Sequence, residues 1–191
     1  MKYFNVGYKS ANYYLIDADQ VCLAIDVGWP GTINDYGRLL RPTGKRVQDI
    51  NYLIVTHFHV DHAGLVQELK ELGVKFVLFD SQIKHIAQME TMIQKKMNYK
   101  PINLEDNITI TLPESRKFLH RIGISGEVVY TPGHSEDSIS VFLDSGDVFI
   151  GDLRPENQIM EDDFTAKTSW LKLKKLGVKR INPGHGYSFE L

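Results

Sequence analysis

The chain has 191 residues, enough for one substantial domain with its own core and short for two. Its 42% hydrophobic and 24% charged residues and formal net charge of -2 are those of an ordinary globular protein, without the basic excess of a nucleic-acid binder. No apolar run approaches a membrane span, Met1–Gly7 lacks the apolar core of a signal peptide, and the single cysteine, Cys22, has no intrachain partner. Cys22 is therefore expected as a small buried apolar residue, and the expected location is the cytoplasm.

In chain order, residues 12–17 and 21–26 are apolar runs with strand character, joined by Ala18-Asp19-Gln20 as a hairpin. Asp26-Val27-Gly28-Trp29-Pro30-Gly31 has turn chemistry. Residues 33–40 predict a short helix stopped by Pro42-Thr43-Gly44. Tyr52-Leu53-Ile54-Val55 predicts a buried strand, and Ala63 to Leu69 the opening of a helix. Residues 74–79 predict a strand. The spacing of Ile83, Ile86, Met89, Ile93 and Met97 predicts a helix over 81–97, capped by Asp80 or Ser81, as core packing or as a lid over a site.

After Pro101, residues 108–111, 127–131, 138–143 and 147–151 predict strands. Residues 163–176 predict an amphipathic helix with Phe164, Trp170, Leu171, Leu173 and Leu176 as its apolar set. Lys172, Lys174 and Lys175 are read as a solvated face. Gly177 ends the helix, and residues 178–182 predict a last strand. The order indicates a mixed α/β domain.

The stretch Thr56-His57-Phe58-His59-Val60-Asp61-His62-Ala63-Gly64 carries the chemistry. Three of the seven histidines and an aspartate fall within His57–His62, directly after the predicted strand. In extended backbone His57 and His59, two residues apart, point to one side. Asp61 and His62 fall where the strand gives way to a turn and can point elsewhere. A strand end that delivers two ligands to one centre and two to a neighbouring one is the economical reading. His134, Asp152 and His185 likewise stand where apolar strands meet glycine-containing or polar turns, a common way of building a site on a rigid sheet. His85 and His120 lie outside such contexts and are expected as structural or surface residues.

These motifs, with Thr131-Pro132-Gly133-His134-Ser135, Gly151-Asp152 and Pro183-Gly184-His185-Gly186 in that order, resemble the ligand motifs of the metallo-β-lactamase-fold superfamily. Asp26-Val27-Gly28 is similar to the aspartate–glycine turn after that superfamily's first hairpin. The resemblance implies one domain over 1–191 with a four-layer αββα sandwich, two mixed sheets face to face and helices outside. It implies His57, His59 and His134 on a first metal, Asp61, His62 and His185 on a second, and Asp152 bridging the two. Asp26 would orient a ligand or, equally, cap its own turn. The implied cofactors are two divalent ions, zinc first, with iron or manganese compatible with the same ligands. Such a pair of ions about 3.5–4 Å apart makes hydroxide available at neutral pH.

True metallo-β-lactamases lack a bridging aspartate, so the pattern looks more like glyoxalase II and the acyl-homoserine lactonases. Six residues follow His185, which leaves no segment for the C-terminal helical domain of glyoxalase II, and the expectation is a minimal form. The implied activity is hydrolysis of an ester, thioester or lactone in a small acyl or anionic substrate, with Asp61 and Asp152 the carboxylates closest to the chemistry. No nucleic acid or membrane partner is expected. Tyr99 and Tyr187 fall in loops where a substrate-site tyrosine could stand. Three alternatives stay open: an iron-dependent oxidoreductase like persulfide dioxygenase, a phosphodiesterase or nuclease served by the small cluster Lys95, Lys96 and Lys100, and a binding protein on a retained fold.

Overall fold

The computed structural model describes residues 1–93 and 98–191. The chain divides into two compact units, Met1–Thr111 and Leu112–Leu191. In the first unit the described residues form one six-stranded sheet whose spatial order follows the sequence: β1 (Lys2–Asn5), β2 (Tyr14–Ala18), β3 (Val21–Ile25), β4 (Tyr52–Ile54), β5 (Lys75–Phe79) and β6 (Ile108–Ile110). Strands β1 to β3 are antiparallel and β3 to β6 parallel. Parallel neighbours need crossovers, and helices fill them. Helix α1 (Ile33–Leu40) links β3 to β4, α2 (Val60–Ala63) and α3 (Val66–Glu71) link β4 to β5, and α4 (Ile83–Met92) lies between β5 and β6.

The central strands are the near-continuous apolar runs that burial on both faces requires. Leu23, Ala24, Leu53 and Ile54 are wholly buried. One face packs as a single cluster in which Leu15, Ala24, Leu53, Phe76 and Leu78 meet Tyr36 and Leu40 of α1 and Val66 and Leu69 of α3.

The second unit holds α5 (Ser115–Arg121) and a five-stranded sheet. Its strands are β7 (Gly126–Tyr130), β8 (Ile139–Leu143), β9 (Asp147–Gly151), β10 (Arg180–Pro183) and β11 (Phe189–Glu190). Strands β7, β8 and β9 form an antiparallel meander, and α6 (Phe164–Lys175) carries the chain from β9 to its parallel partner β10. Ala166, Trp170 and Leu173 of α6 pack against Val148, Ile150 and Ile181. Asp163 caps α6, its side chain accepting from the Ala166 amide at 2.9 Å.

The mixed α/β architecture with two sheets matches the expected class, and its differences in detail have local causes. Asp61 and His62 are not in a turn before a helix but inside α2. That helix opens one residue after His59, whose carbonyl accepts from the His62 and Ala63 amides. The helix expected from residue 81 opens with a single 3-10 turn, Asp80–Gln82, and becomes α-helical at Ile83. Its first turn lacks a side-chain cap; the Asp80 carboxylate accepts from the adjacent Ser81 amide instead. Its extension to Met97, and Lys95 and Lys96, lie outside the described residues.

The apolar set of α6 divides: Trp170 and Leu173 are buried, while Phe164 and Leu171 are exposed. Lys172 reaches the Tyr130 carbonyl and Lys174 pairs with Glu156, so neither stands out as a binding patch. Strands β1 and β11 and helix α5 are additional to the elements read above. Cys22 is buried as expected, and burial pushes its thiol up from the ordinary value. Among the described residues no helix is long and apolar enough to cross a membrane.

Trp170 is 1% exposed and its indole N–H donates to the Arg154 carbonyl at 2.8 Å. Replacing it by alanine empties the centre of the second unit and is expected to cost about 3–5 kcal/mol. A urea titration followed by circular dichroism checks this. Trp170→Phe, which keeps a ring, should cost less.

Candidate metal centre

In the first unit, four candidate ligands gather behind β4. The organising group is Asp26, immediately after β3, which is 2% exposed and sits at φ +60. A non-glycine residue rarely adopts this left-handed backbone and holds it only where its surroundings dictate it. The reason is visible in its contacts. One carboxylate oxygen accepts from the Thr56 amide at 2.6 Å, and the other accepts from the Thr56 hydroxyl at 2.7 Å and stands 3.0 Å from His62 Nδ1. The Val27 amide donates to the His62 carbonyl at 2.7 Å. The segment after β3 is thereby fastened to both the segment after β4 and α2.

These contacts set the imidazoles. Thr56 gives its hydroxyl hydrogen to Asp26, so toward His57 Nδ1, 3.1 Å away, it presents a lone pair. His57 is thus assigned the Nδ1–H form with Nε2 turned toward His59 Nδ1, at 3.1 Å. His62 likewise gives Nδ1–H to Asp26 and turns Nε2 toward Asp61 Oδ2, at 3.5 Å. The ring centroids of His57 lie 4.6 Å from His59 and 4.4 Å from His62. His57 and His62 are fully buried.

Two further features hold this arrangement. Gln82, 1% exposed, donates from its amide nitrogen to the carbonyls of Val55 at 3.2 Å and Thr56 at 3.3 Å. A side chain on Gly64, just after α2, would run into the Val60 and Gly28 carbonyl oxygens, so only glycine fits there. Beneath the cluster, burial holds the Tyr13 hydroxyl far above its ordinary pKa, and the nearby Tyr8, Asp61 and Asp26 add to the effect.

In the second unit, Asp152 follows β9, His134 follows β7 and His185 follows β10. Asp152 Oδ2 lies 3.5 Å from His134 Nε2 and 3.3 Å from His185 Nε2. One carboxylate oxygen therefore faces both imidazoles. Helix α6 holds the His134 loop: Ser169 donates to the Pro132 carbonyl at 2.6 Å, and Gly133, at φ +142, comes so close to Ala166 that a Cβ would lie 2.8 Å from it. Thr131 is buried, with its hydroxyl 2.6 Å from that of Ser140. The Gly184 amide donates to the Gly151 carbonyl at 2.6 Å, which joins the His185 loop to the base of Asp152.

The donor set fits divalent metal ions. Two nitrogens about 2.0–2.1 Å from one tetrahedral ion stand about 3.3 Å apart, close to the 3.1 Å between His57 Nε2 and His59 Nδ1. Imidazoles fixed through the other ring nitrogen by a carboxylate or hydroxyl are the usual form of metal-binding histidine.

The model of the metallo-β-lactamase superfamily matches residues 6–185. The chain belongs to the metallo-β-lactamase superfamily. The Beta-lactamase-like protein 2 homolog of Drosophila melanogaster is 27% identical over 187 residues, covering 95% of this chain. The chain spans 60% of that relative's length. Among solved structures, the metallo-beta-lactamase family protein TTHA1429 of Thermus thermophilus shares the fold with a TM-score of 0.75 at 19% identity, covering 98% of this chain and 74% of its own. TTHA1623, in a di-iron-bound form, shares it with a TM-score of 0.74 at 21% identity, covering 100% of this chain and 94% of its own.

As a metallo-β-lactamase superfamily chain, this one brings its motif histidines and aspartates together within each unit. His85, on α4, is buried, and His120 is exposed. Tyr99 donates to Glu90 at 2.8 Å, and Tyr187 is 94% exposed. The supporting contacts from Gln82, Ser169 and Trp170 had no sequence signal, because each is a single polar atom reaching a distant backbone carbonyl. Asp26→Asn keeps the shape of the residue but exchanges one acceptor oxygen for a donor. Metal affinity is expected to fall about 10–100-fold with the fold intact, as measured by competition with a chromogenic chelator.

Proposed function

We propose that the two sets of residues form one dinuclear centre and that the protein hydrolyses an ester, thioester or lactone bond in a small acyl substrate. His57, His59 and His134 would hold one ion, Asp61, His62 and His185 the other, and Asp152 both. The observation that carries the reading is Asp152, whose Oδ2 stands 3.5 Å from His134 and 3.3 Å from His185, a bridging carboxylate's place between two imidazoles. The di-iron form of TTHA1623 supports a centre of two ions in this fold and sets iron beside zinc as the metal. Divalent ions, when bound, supply a water acidic enough to act as nucleophile at neutral pH and positive charge for the oxyanion.

The chain's own residues do the rest. Asp61, which would also hold an ion, would accept a hydrogen of the attacking water and aim it at the acyl carbon. Water would add to that carbon, its bond to sulfur or oxygen would break, and the departing thiolate or alkoxide would take the proton that the water gave up to Asp61. Asp26 keeps His62 in one tautomer throughout, through the 3.0 Å contact at Nδ1. With two dications bound, the positive charge would exceed the negative charge of the two aspartates, which would favour a carbonyl oxygen and any carboxylate on the substrate.

A panel of thioesters, esters, lactones and phosphodiesters tests the reading on metal-loaded protein. Turnover is expected on the acyl substrates. Asp152→Ala should lose about 100-fold or more in kcat together with part of the bound metal. An Asp152→Ala protein that keeps both ions and its rate would remove the bridge from the account.

A further inference from the structure

Beside His59 and Asp61 the first unit holds a cavity of 260 Å³ whose other walls are Phe58, Val60, Met89, Met92 and Ile93. Phe58 and Met89 are 4% exposed, and Phe58 is braced edge-on by Phe76 at 6.4 Å, so the inner wall is fixed. Met92, 74% exposed, stands at the outer end. Helix α4, which supplies both methionines, is tied down through Glu90: its carboxylate accepts from the Tyr99 hydroxyl at 2.8 Å and the Ile102 amide at 2.9 Å.

The lining has two ends of different chemistry. His59 and Asp61 are polar, and the other five side chains offer water almost no hydrogen bonds. Such a space is better filled by hydrocarbon than by solvent. The volume is below the roughly 300–1,000 Å³ of a whole-ligand pocket, so it suits one part of a larger substrate. At roughly 30 Å³ per group it takes about eight groups of methylene size. Unbranched methionines on one wall conform to a flexible chain more readily than to a rigid ring.

We propose that this cavity is an acyl-chain subsite and that the substrate is an ester or thioester of a linear medium-chain acid, its carbonyl at the His59 and Asp61 end and its tail between Phe58 and α4. The proposal rests on the hydrolase reading above for the reaction, and on the cavity alone for the chain.

Two experiments separate these. With metal-loaded protein and thioesters of one small thiol from acetyl to decanoyl, kcat/KM is expected to rise about three- to four-fold per added methylene, then level off near octanoyl. Met92→Glu, at an exposed position the fold tolerates, should cut the octanoyl-to-acetyl ratio about ten-fold by placing a charge where the tail lies. In the metal-free protein carrying methyl-labelled methionine, octanoate should shift the Met89 and Met92 signals and leave Met160 in place, while acetate shifts neither. Hydrolysis with a flat chain-length profile, or an unchanged ratio in Met92→Glu, overturns the subsite and leaves the hydrolase standing. No turnover of any thioester, ester or lactone, with octanoate still shifting Met89 and Met92, keeps the subsite and overturns the hydrolase. Octanoate that moves neither signal overturns the subsite regardless of activity.

Discussion

Asp26 joins three segments of the first unit through one buried carboxylate. It receives the amide and hydroxyl hydrogens of Thr56 and faces Nδ1 of His62. Its left-handed backbone, at φ +60, costs about 1–3 kcal/mol, a strain that persists only where surrounding contacts over-determine it. The same three contacts fix the ring orientation of His62 directly and that of His57 through Thr56. A buried carboxylate also requires several donors to be tolerated at all. The residue that closes the β3 turn therefore also sets the direction in which two imidazoles point.

The second unit solves the corresponding problem with backbone and packing. Three loops, after β7, β9 and β10, must present His134, Asp152 and His185 to one another. Parallel pairing of β9 and β10 brings Gly151 opposite Pro183, and the Gly184 amide closes the junction on the Gly151 carbonyl. Helix α6 then holds the other two loops, Ser169 at Pro132 and Trp170 at Arg154. Rigid elements thus carry ligands whose own segments are irregular, which is how precise geometry is kept on loops.

Much of this was legible in the sequence, and what was missed follows a pattern. The strand before His57 and the helix over 33–40 announce themselves because burial repeats along contiguous residues. The hexapeptide His57–His62 is dense enough to read as ligands unaided. His134, Asp152 and His185 are single residues in separate loops; their place at strand-to-turn junctions marked them as candidates, and the resemblance to a family assigned them to the two ions. Strand β1 pairs along one side only and β11 has two residues, so neither carries a periodic signal, while α5 buries Ser115, Phe118 and Leu119 at helical spacing but over only seven residues. The helical placement of Asp61 and His62 depends on the His59 carbonyl accepting from the His62 and Ala63 amides, a backbone fact that side-chain identity does not encode.

The proposed centre would hold two ions on His57, His59, Asp61, His62, His134, Asp152 and His185. It is tested most directly by crystallographic anomalous scattering from the full chain, purified without chelator and reconstituted with zinc or iron, with data collected on both sides of the metal's absorption edge. Two peaks are expected, one touched by His57, His59 and His134 and the other by His62 and His185, with the Asp152 carboxylate between them. One peak, or two that leave Asp152 or the His57 and His59 pair unbound, would contradict it.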